Sequence, residues 1–198
     1  MDPVVDHERW TLTYDEQQDV LAKIPEIHRD VIEFLMETGL RPAEGCALMK
    51  IDIKISERKG LIRHNYSEAE LRERTKQKKE YWIVFSDRAW ALIVKNIGNP
   101  TPFVFWNAPY KRGYKCKVLN KAWAKTGCSV DLYEATRHSL ATQLMEAGEP
   151  LKRVQGIMRH ADSRTTLRYE HAGDENTRNA LNRRGGKVIE LRKDVGET

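Results

Sequence analysis

Tyr169, His160, Arg137 and Arg41 are the residues of this chain that could act together on one phosphodiester. Tyr169 lies in the run RHADSRTTLRYEHA, nine residues after His160. Arg137 stands 32 residues before it in LYEATRHSLATQLMEAG, and Arg41 far upstream in ETGLRPAEGCAL. Arginine suits a phosphate because its planar guanidinium donates two parallel hydrogen bonds to two oxygens. Arg41 also precedes Pro42 at a helix start, where free N–H groups and the helix dipole favour an anion. A tyrosine hydroxyl could then attack phosphorus. With a pKa of about 10 the phenol is a weak nucleophile unless nearby cations stabilise its anion. The tyrosine reading therefore requires both arginines to be close to Tyr169. Each residue also has a plainer reading. Arg41 could pair at the surface with Glu37 or Glu44. Arg137 could be a solvated side chain beside an apolar helix face of Leu140, Leu144 and Ala147. His160 could cap the amphipathic helix that turns Val154, Ile157 and Met158 inward, and Tyr169 could be a core tyrosine. Joint order and spacing carry the signal, not any one residue.

The elements that must position these groups are mostly helical. Thr13 and Glu16 form a capping box ahead of DEQQDVLAKI, and Pro25 breaks that helix. EIHRDVIEFLMET follows, with Ile27, Val31, Phe34 and Leu35 at helical spacing and Gly39 as its terminator. Pro42 opens the next helix, PAEGCALMK. The period then switches to two, and IDIKIS, GLIRHN and KEYWIVFS read as three short strands. SEAELRERTKQKK, between the last two, is polar and exposed in this reading. Ser86 caps a helix through RAWALIVKNI. NPTPFVFWNAP is a loop with a short apolar centre. From KVLNKAW onward the pattern is helical, broken at Gly127, at Gly148-Glu149-Pro150 and at Ala161-Asp162. Ser163 could cap a short helix carrying Tyr169. A polar helix, DENTRNALNRR, follows Gly173, and KVIEL beyond Gly185-Gly186 could be a strand. The predicted class is α+β, mainly α, with a small antiparallel three-stranded sheet.

Composition limits the alternatives. The 198 residues suit one domain with a real core, and the net charge of +5 fits a polyanionic partner. Cys46, Cys116 and Cys128 are odd in number and lack C-x-x-C spacing, which predicts free thiols in a reducing cytoplasm. No apolar run approaches the roughly 18 residues of a membrane span, and MDPVVDHERW is not a signal peptide. No membrane partner is expected. His138, His160 and His171, 22 and 11 residues apart, form no H-x-x-H or H-E-x-x-H pattern, so neither a metal site nor a cofactor is expected.

Four segments in this order resemble the catalytic domain of the tyrosine recombinases, the phage-integrase family. TGLRPAEGCAL resembles the family's first arginine box and TRHSLATQLMEAG its second. VQGIMRHADSRTTLRYEHA resembles its histidine-to-tyrosine box, and ERTKQKKEYWIVFS the β-hairpin that carries its lysine. The resemblance spans roughly residues 12 to 173. It implies a site-specific recombinase or integrase in which Arg41 and Arg137 clamp the scissile phosphate. Tyr169 would attack it, giving a 3′-phosphotyrosyl bond and a free 5′-hydroxyl. His160 would hydrogen-bond a phosphate oxygen, and Lys76 would protonate the leaving oxygen. Lys78 and Lys79 compete for that register and otherwise steer DNA as a basic loop, with Arg159 also on DNA. Glu44 matches an acidic position that orients the fold. Partners would be double-stranded DNA and further copies of the chain, four in a recombination complex. Residues 1–173 would form the catalytic domain and 174–198 a tail whose Val188, Ile189 and Leu191 are buried by its own sheet or a neighbouring subunit.

The chain departs from the family pattern in three places. Glu134 stands where the family usually has histidine. An ionised carboxylate is repelled by phosphate unless paired, so Glu134 is expected to orient a cation, with Arg137 or Lys76 the first candidates. Alternatively it lies just outside the site. About ten residues precede the first helix where the family usually carries an N-terminal DNA-binding domain, so a fragment or a catalytic-only protein without that domain is expected, and Val84 replaces a common proline. Two nearby functions use overlapping features: a type IB topoisomerase shares the chemistry, and a DNA-binding module without chemistry would share the basic helices.

Overall fold

Capping chemistry sets the first helix. In the computed structural model, which describes residues 11–67, 70–72, 80–158 and 174–183, α1 runs Tyr14–Lys23. Thr13 Oγ1 accepts the Glu16 N–H at 3.3 Å, and Glu16 Oε2 accepts the Thr13 N–H at 2.8 Å. Helix α2, Glu26–Thr38, ends at Gly39, whose φ of 59° is the left-handed conformation glycine adopts without a Cβ clash. Val31, Phe34 and Leu35 are buried as predicted, whereas Ile27 is 54 % exposed. Periodicity identifies the inward face but not how far the core extends along it.

Helix α3, Pro42–Cys46, is shorter than PAEGCALMK. The backbone leaves the helix because its next groups pair elsewhere. The Val104 N–H donates to Leu48 O and the Lys50 N–H to Pro102 O, each at 2.9 Å. The sheet follows: β1 (Ile53–Lys54), β2 (Lys59–Ile62), a second hairpin of β3 (Asn65–Ser67) and β4 (Glu70–Arg72), then β5 (Tyr81–Val84). Strands β1, β2 and β5 form the predicted antiparallel three-stranded sheet, with Gly60 opposite Ile83 and Ile62 opposite Tyr81. Ile62 and Ile83 face the core, and Trp82 points outward. The polar stretch predicted to be simply exposed begins at Ser67, the last residue of β3, and contains β4, which is exposed along its length and pairs back on β3.

Ser86 caps α4, Asp87–Asn96, accepting the Ala89 N–H at 3.0 Å. The loop NPTPFVFWNAP keeps its apolar centre, Val104 and Phe105, in the core. It also carries β6 (Trp106–Asn107), which pairs with β7 (Arg112–Gly113) in a hairpin the sequence did not signal. Helix α5 spans Cys116–Ala124. A π-helical turn, Glu134–His138, runs directly into α6, Ser139–Glu146, and α7 follows at Leu151–Met158. Leu140 and Leu144 are buried as predicted, while Ala147, just past the end of α6, is exposed. Helix α8, Asp174–Arg183, packs back on the body.

Two apolar clusters result. The larger joins α1, α2, α4, α5 and the sheet around Phe34, Phe85 and Phe105. The smaller joins α6, α7 and α8 through Leu140, Leu144, Val154, Met158 and Leu181. Burying each such side chain contributes about 1.5–3 kcal/mol. Polar contacts fix α8 further: Asn182 Nδ2 donates to Asp87 Oδ2 at 2.8 Å, and Arg183 pairs with Glu149 at 2.7 Å. Lys76, Lys78, Lys79, Arg159, His160, Tyr169, the Ser163 cap and the KVIEL run lie outside the described residues.

Candidate active site

The π-helical turn is the local feature from which the site is built. Its wider register gives one more residue per turn than the flanking helix, and such turns occur frequently at functional sites. Here it turns Arg137 inward, leaving the residue only 3 % exposed. One terminal nitrogen of Arg137 donates to Gly39 O at 2.6 Å, and the other donates to Met158 O. Gly39 lies two residues before Arg41, and Met158 two residues before His160. A single guanidinium therefore ties the first arginine box and the start of the histidine box to the second. A solvated Arg137, one of the sequence alternatives, is not what the fold contains. Nor does Arg137 point out to solvent as a clamp would on its own.

Gly39 is required at this junction for a second reason. A Cβ there would lie 2.8 Å from Leu140 Cδ2 and 3.1 Å from Met158 Cε. The close approach lets α6 and α7 reach the end of α2.

Arg41 sits at the start of α3, 29 % exposed along its side chain. Its Nη1 pairs with Glu44 Oε1 at 3.2 Å, and its backbone N–H donates to Glu44 Oε2 at 3.2 Å. Of the two surface partners weighed from the sequence, Glu44 is the one it meets. Glu44 is buried, so it orients Arg41 while itself held in the fold. Burial opposes the charge on Arg41, but Glu44, then Tyr133 and Tyr81, outweigh it and raise the pKa above the usual arginine value. Those tyrosines place Arg41 near the π turn, which Tyr133 precedes, and near the first residue of β5.

Glu134 opens the π turn and is partly exposed. Its carbonyl accepts the Ser139 N–H and, at 3.1 Å, the Ser139 hydroxyl. The bonds described for Arg137 run to Gly39 and Met158 rather than to the Glu134 carboxylate. The expected Glu134–Arg137 pair is therefore not among them. Carbonyl acceptors inside the fold already hold that guanidinium. Among the described residues, no three His, Cys, Asp or Glu side chains gather to hold a metal ion.

Two features escaped the sequence reading. The first is the polar network behind the π turn, built by Gln17, Ser139 and Gln143. The second is a basic surface on the β6–β7 turn and α5. Lys111, Arg112, Lys117, Lys121 and Lys125 are exposed there. Lys117, Lys121 and Lys125 recur every four residues, so they share one helix face. Like charges at that spacing destabilise a free helix slightly, which an anionic partner would relieve. The signal was present in the sequence: between Asp87 and Asp131 there is no acidic residue.

Comparison with known proteins agrees with this fold. Residues 11–176 match the model of the phage integrase family. The tyrosine recombinase XerC of Bacillus licheniformis is 23 % identical over 165 residues, covering 81 % of this chain and 54 % of that protein. A tyrosine recombinase of Thermosipho africanus is 29 % identical over 177 residues, covering 83 % and 58 %. The chain thus spans about half the length of these relatives. Among solved structures, the Tn1549 transposon integrase in complex with a circular intermediate DNA superposes with a TM-score of 0.64 at 20 % identity. That match covers 83 % of this chain and 62 % of the integrase. The catalytic domain of bacteriophage HP1 integrase gives 0.57 at 18 % identity, covering 83 % and 88 %.

Proposed function

The chain belongs to the phage integrase family, and from that premise we propose that it is the catalytic domain of a site-specific DNA recombinase working through a 3′-phosphotyrosyl intermediate. The observation that supports the reading is the Arg137 fork, which joins Gly39, two residues before Arg41, to Met158 at the end of α7. In this mechanism Tyr169 loses its phenol proton to solvent as nearby cations stabilise the anion, and its Oη attacks the scissile phosphorus. The bond to the 5′-oxygen breaks, and Lys76 gives that oxygen its proton. Arg41, held by Glu44, and Arg137 supply positive charge against the developing charge on the phosphate oxygens, and His160 adds a hydrogen bond. The phosphotyrosyl bond conserves the phosphodiester energy, so rejoining needs no nucleotide. The basic face of α5 and the β6–β7 turn, with Lys78, Lys79 and Arg159, holds the DNA backbone. Further copies of the chain on the same DNA would exchange the strands.

The deciding experiment uses a nicked suicide DNA, from which the short 5′-hydroxyl fragment released by cleavage diffuses away, so that rejoining fails and the adduct is trapped. Wild-type protein should give a protein–DNA adduct that survives denaturation, also in EDTA. Tyr169→Phe should bind DNA and give none. An adduct formed by the phenylalanine variant would remove Tyr169 from the chemistry.

A further inference from the structure

The polar network behind the π turn has a direction. Gln17 on α1 is fully buried, and its Nε2 donates to Ala135 O, inside the turn, at 2.6 Å. Its Oε1 accepts from Gln143 Nε2 at 3.1 Å, and Gln143 Nε2 also donates to Leu12 O at 2.9 Å. The Leu12 N–H in turn donates to Ser139 Oγ at 2.9 Å, and Ser139 Oγ donates to Glu134 O at 3.1 Å. The amide orientations follow from these partners: each glutamine can satisfy its acceptors in one flip state only. Helix α1 thereby grips the turn at Ala135 through Gln17, and Leu12, just ahead of α1, reaches Glu134 through Ser139. Arg137 lies one residue beyond Thr136, whose own hydroxyl donates to Leu132 O at 2.8 Å. A turn with a non-standard register needs such outside partners, because its carbonyls no longer meet the usual N–H groups.

We propose that Gln17 is a positioning residue for strand cleavage, locking the π-helical turn so that Arg137 keeps its two-carbonyl fork on Gly39 and Met158. The inference rests on the catalytic reading above. Gln17 touches no reacting atom; it acts through Ala135 O and the turn. Without its amide the turn can relax toward an α register, which rotates Arg137 away from the Gly39 and Met158 carbonyls. Misplacement of about 1 Å in a catalytic constellation costs about a hundredfold in rate.

The test compares three variants of the full chain. Gln17→Leu keeps the volume and removes both hydrogen bonds. Gln17→Glu still accepts from Gln143 but, when ionised, cannot donate to Ala135 O. Val20→Ala, on the same helix and buried in the main core, lowers stability while leaving both Gln17 hydrogen bonds in place. Hydrogen exchange of the amides over residues 135–140 should rise about tenfold in Gln17→Leu relative to amides elsewhere in the core, and in Val20→Ala no more than the rest of the core. Single-turnover formation of the DNA adduct should fall about tenfold or more in Gln17→Leu, with DNA affinity retained, and stay at the wild-type rate in Val20→Ala. Gln17→Glu should be slow at about pH 8 and recover relative to wild type toward about pH 6, where a protonated carboxyl donates again. Unchanged exchange over 135–140, or a cleavage rate in Gln17→Leu equal to that of Val20→Ala, overturns the proposal. Absence of any adduct with the wild-type chain instead overturns the catalytic reading itself, and with it a positioning role in cleavage.

Discussion

Replacing each arginine by lysine separates two side chains that look equivalent in sequence. Arg137 is 3 % exposed, and its two terminal nitrogens serve carbonyls 98 and 21 residues away in the chain. An ammonium is a point donor on a flexible stem and cannot hold both. Arg137→Lys therefore leaves at least one buried carbonyl unmet or poorly met. A hydrogen bond to a charged group is worth about 1.5–3 kcal/mol, and that is the expected loss of stability. Arg137→Met, which serves neither carbonyl, should cost more. Arg41 is different: it is partly exposed, and its 3.2 Å pair with Glu44 is a local i, i+3 contact. Arg41→Lys should cost ~0–1 kcal/mol. Urea unfolding of the three variants, read as the change in midpoint at constant slope, measures these losses. Both lysine variants should lose most DNA cleavage, so activity alone cannot distinguish them but stability can. A loss below about 0.5 kcal/mol for Arg137→Lys, within the range of ordinary surface substitutions, would show that the fork does not hold the junction.

Further perturbations test the surrounding structure. Gly39→Ala puts a Cβ 2.8 Å from Leu140 Cδ2 at a backbone φ of 59°, so thermal unfolding should show a loss of about 1–3 kcal/mol, and cleavage should fall with it. Reversing Lys117, Lys121 and Lys125 to glutamate should weaken DNA binding for every sequence tested. If all three meet phosphates, the slope of log affinity against log salt should become shallower by about 0.9 for each phosphate no longer neutralised. Cys116 should alkylate before Cys46. The Cys46 thiol holds the Cys116 pKa down, against the effect of burial, whereas the Cys116 contact and then burial raise that of Cys46. Thiolate reactivity should thus extend to lower pH at Cys116 and be lost at Cys46 until higher pH. Mass spectrometry of briefly alkylated protein reads the order, and first labelling at Cys46 would contradict it.

Local rules made much of the fold legible before any coordinates. The Thr13–Glu16 box, Gly39 and Ser86 mark helix ends through contacts within four residues, and the structure uses all three as predicted. Strands β2 and β5 of the sheet were legible from their alternation, whereas of IDIKIS only Ile53–Lys54 is strand, between two 3-10 turns that leave Ile51 and Ile55 exposed. Misses arose where long-range pairing decides. Helix α3 stops at Cys46 because Leu48 and Lys50 bond to residues 102–104, about 54 positions along the chain. The β6–β7 hairpin has strands of two residues, too short to establish a period. Ile27 obeys its helical spacing yet lies beyond the core's edge.

The site divides along the same line. Sequence order singled out Arg41 and Arg137 as acting together but gave no sign that one is buried and the other half-exposed. That difference comes from the π turn, and no residue type announces a π turn. Its inserted register is selected by partners from elsewhere: Gln17 from α1 and Gly39 from the end of α2. The same fact bears on Glu134. From the sequence its expected partner is Arg137 or Lys76, or it lies just outside the site, and Lys76 is outside the described residues. In the fold, Arg137 turns to the Gly39 and Met158 carbonyls, and Glu134 contributes its backbone oxygen to Ser139. Carbonyl oxygens anchor a guanidinium without offsetting its charge, which suits the phosphate-binding role proposed for Arg137.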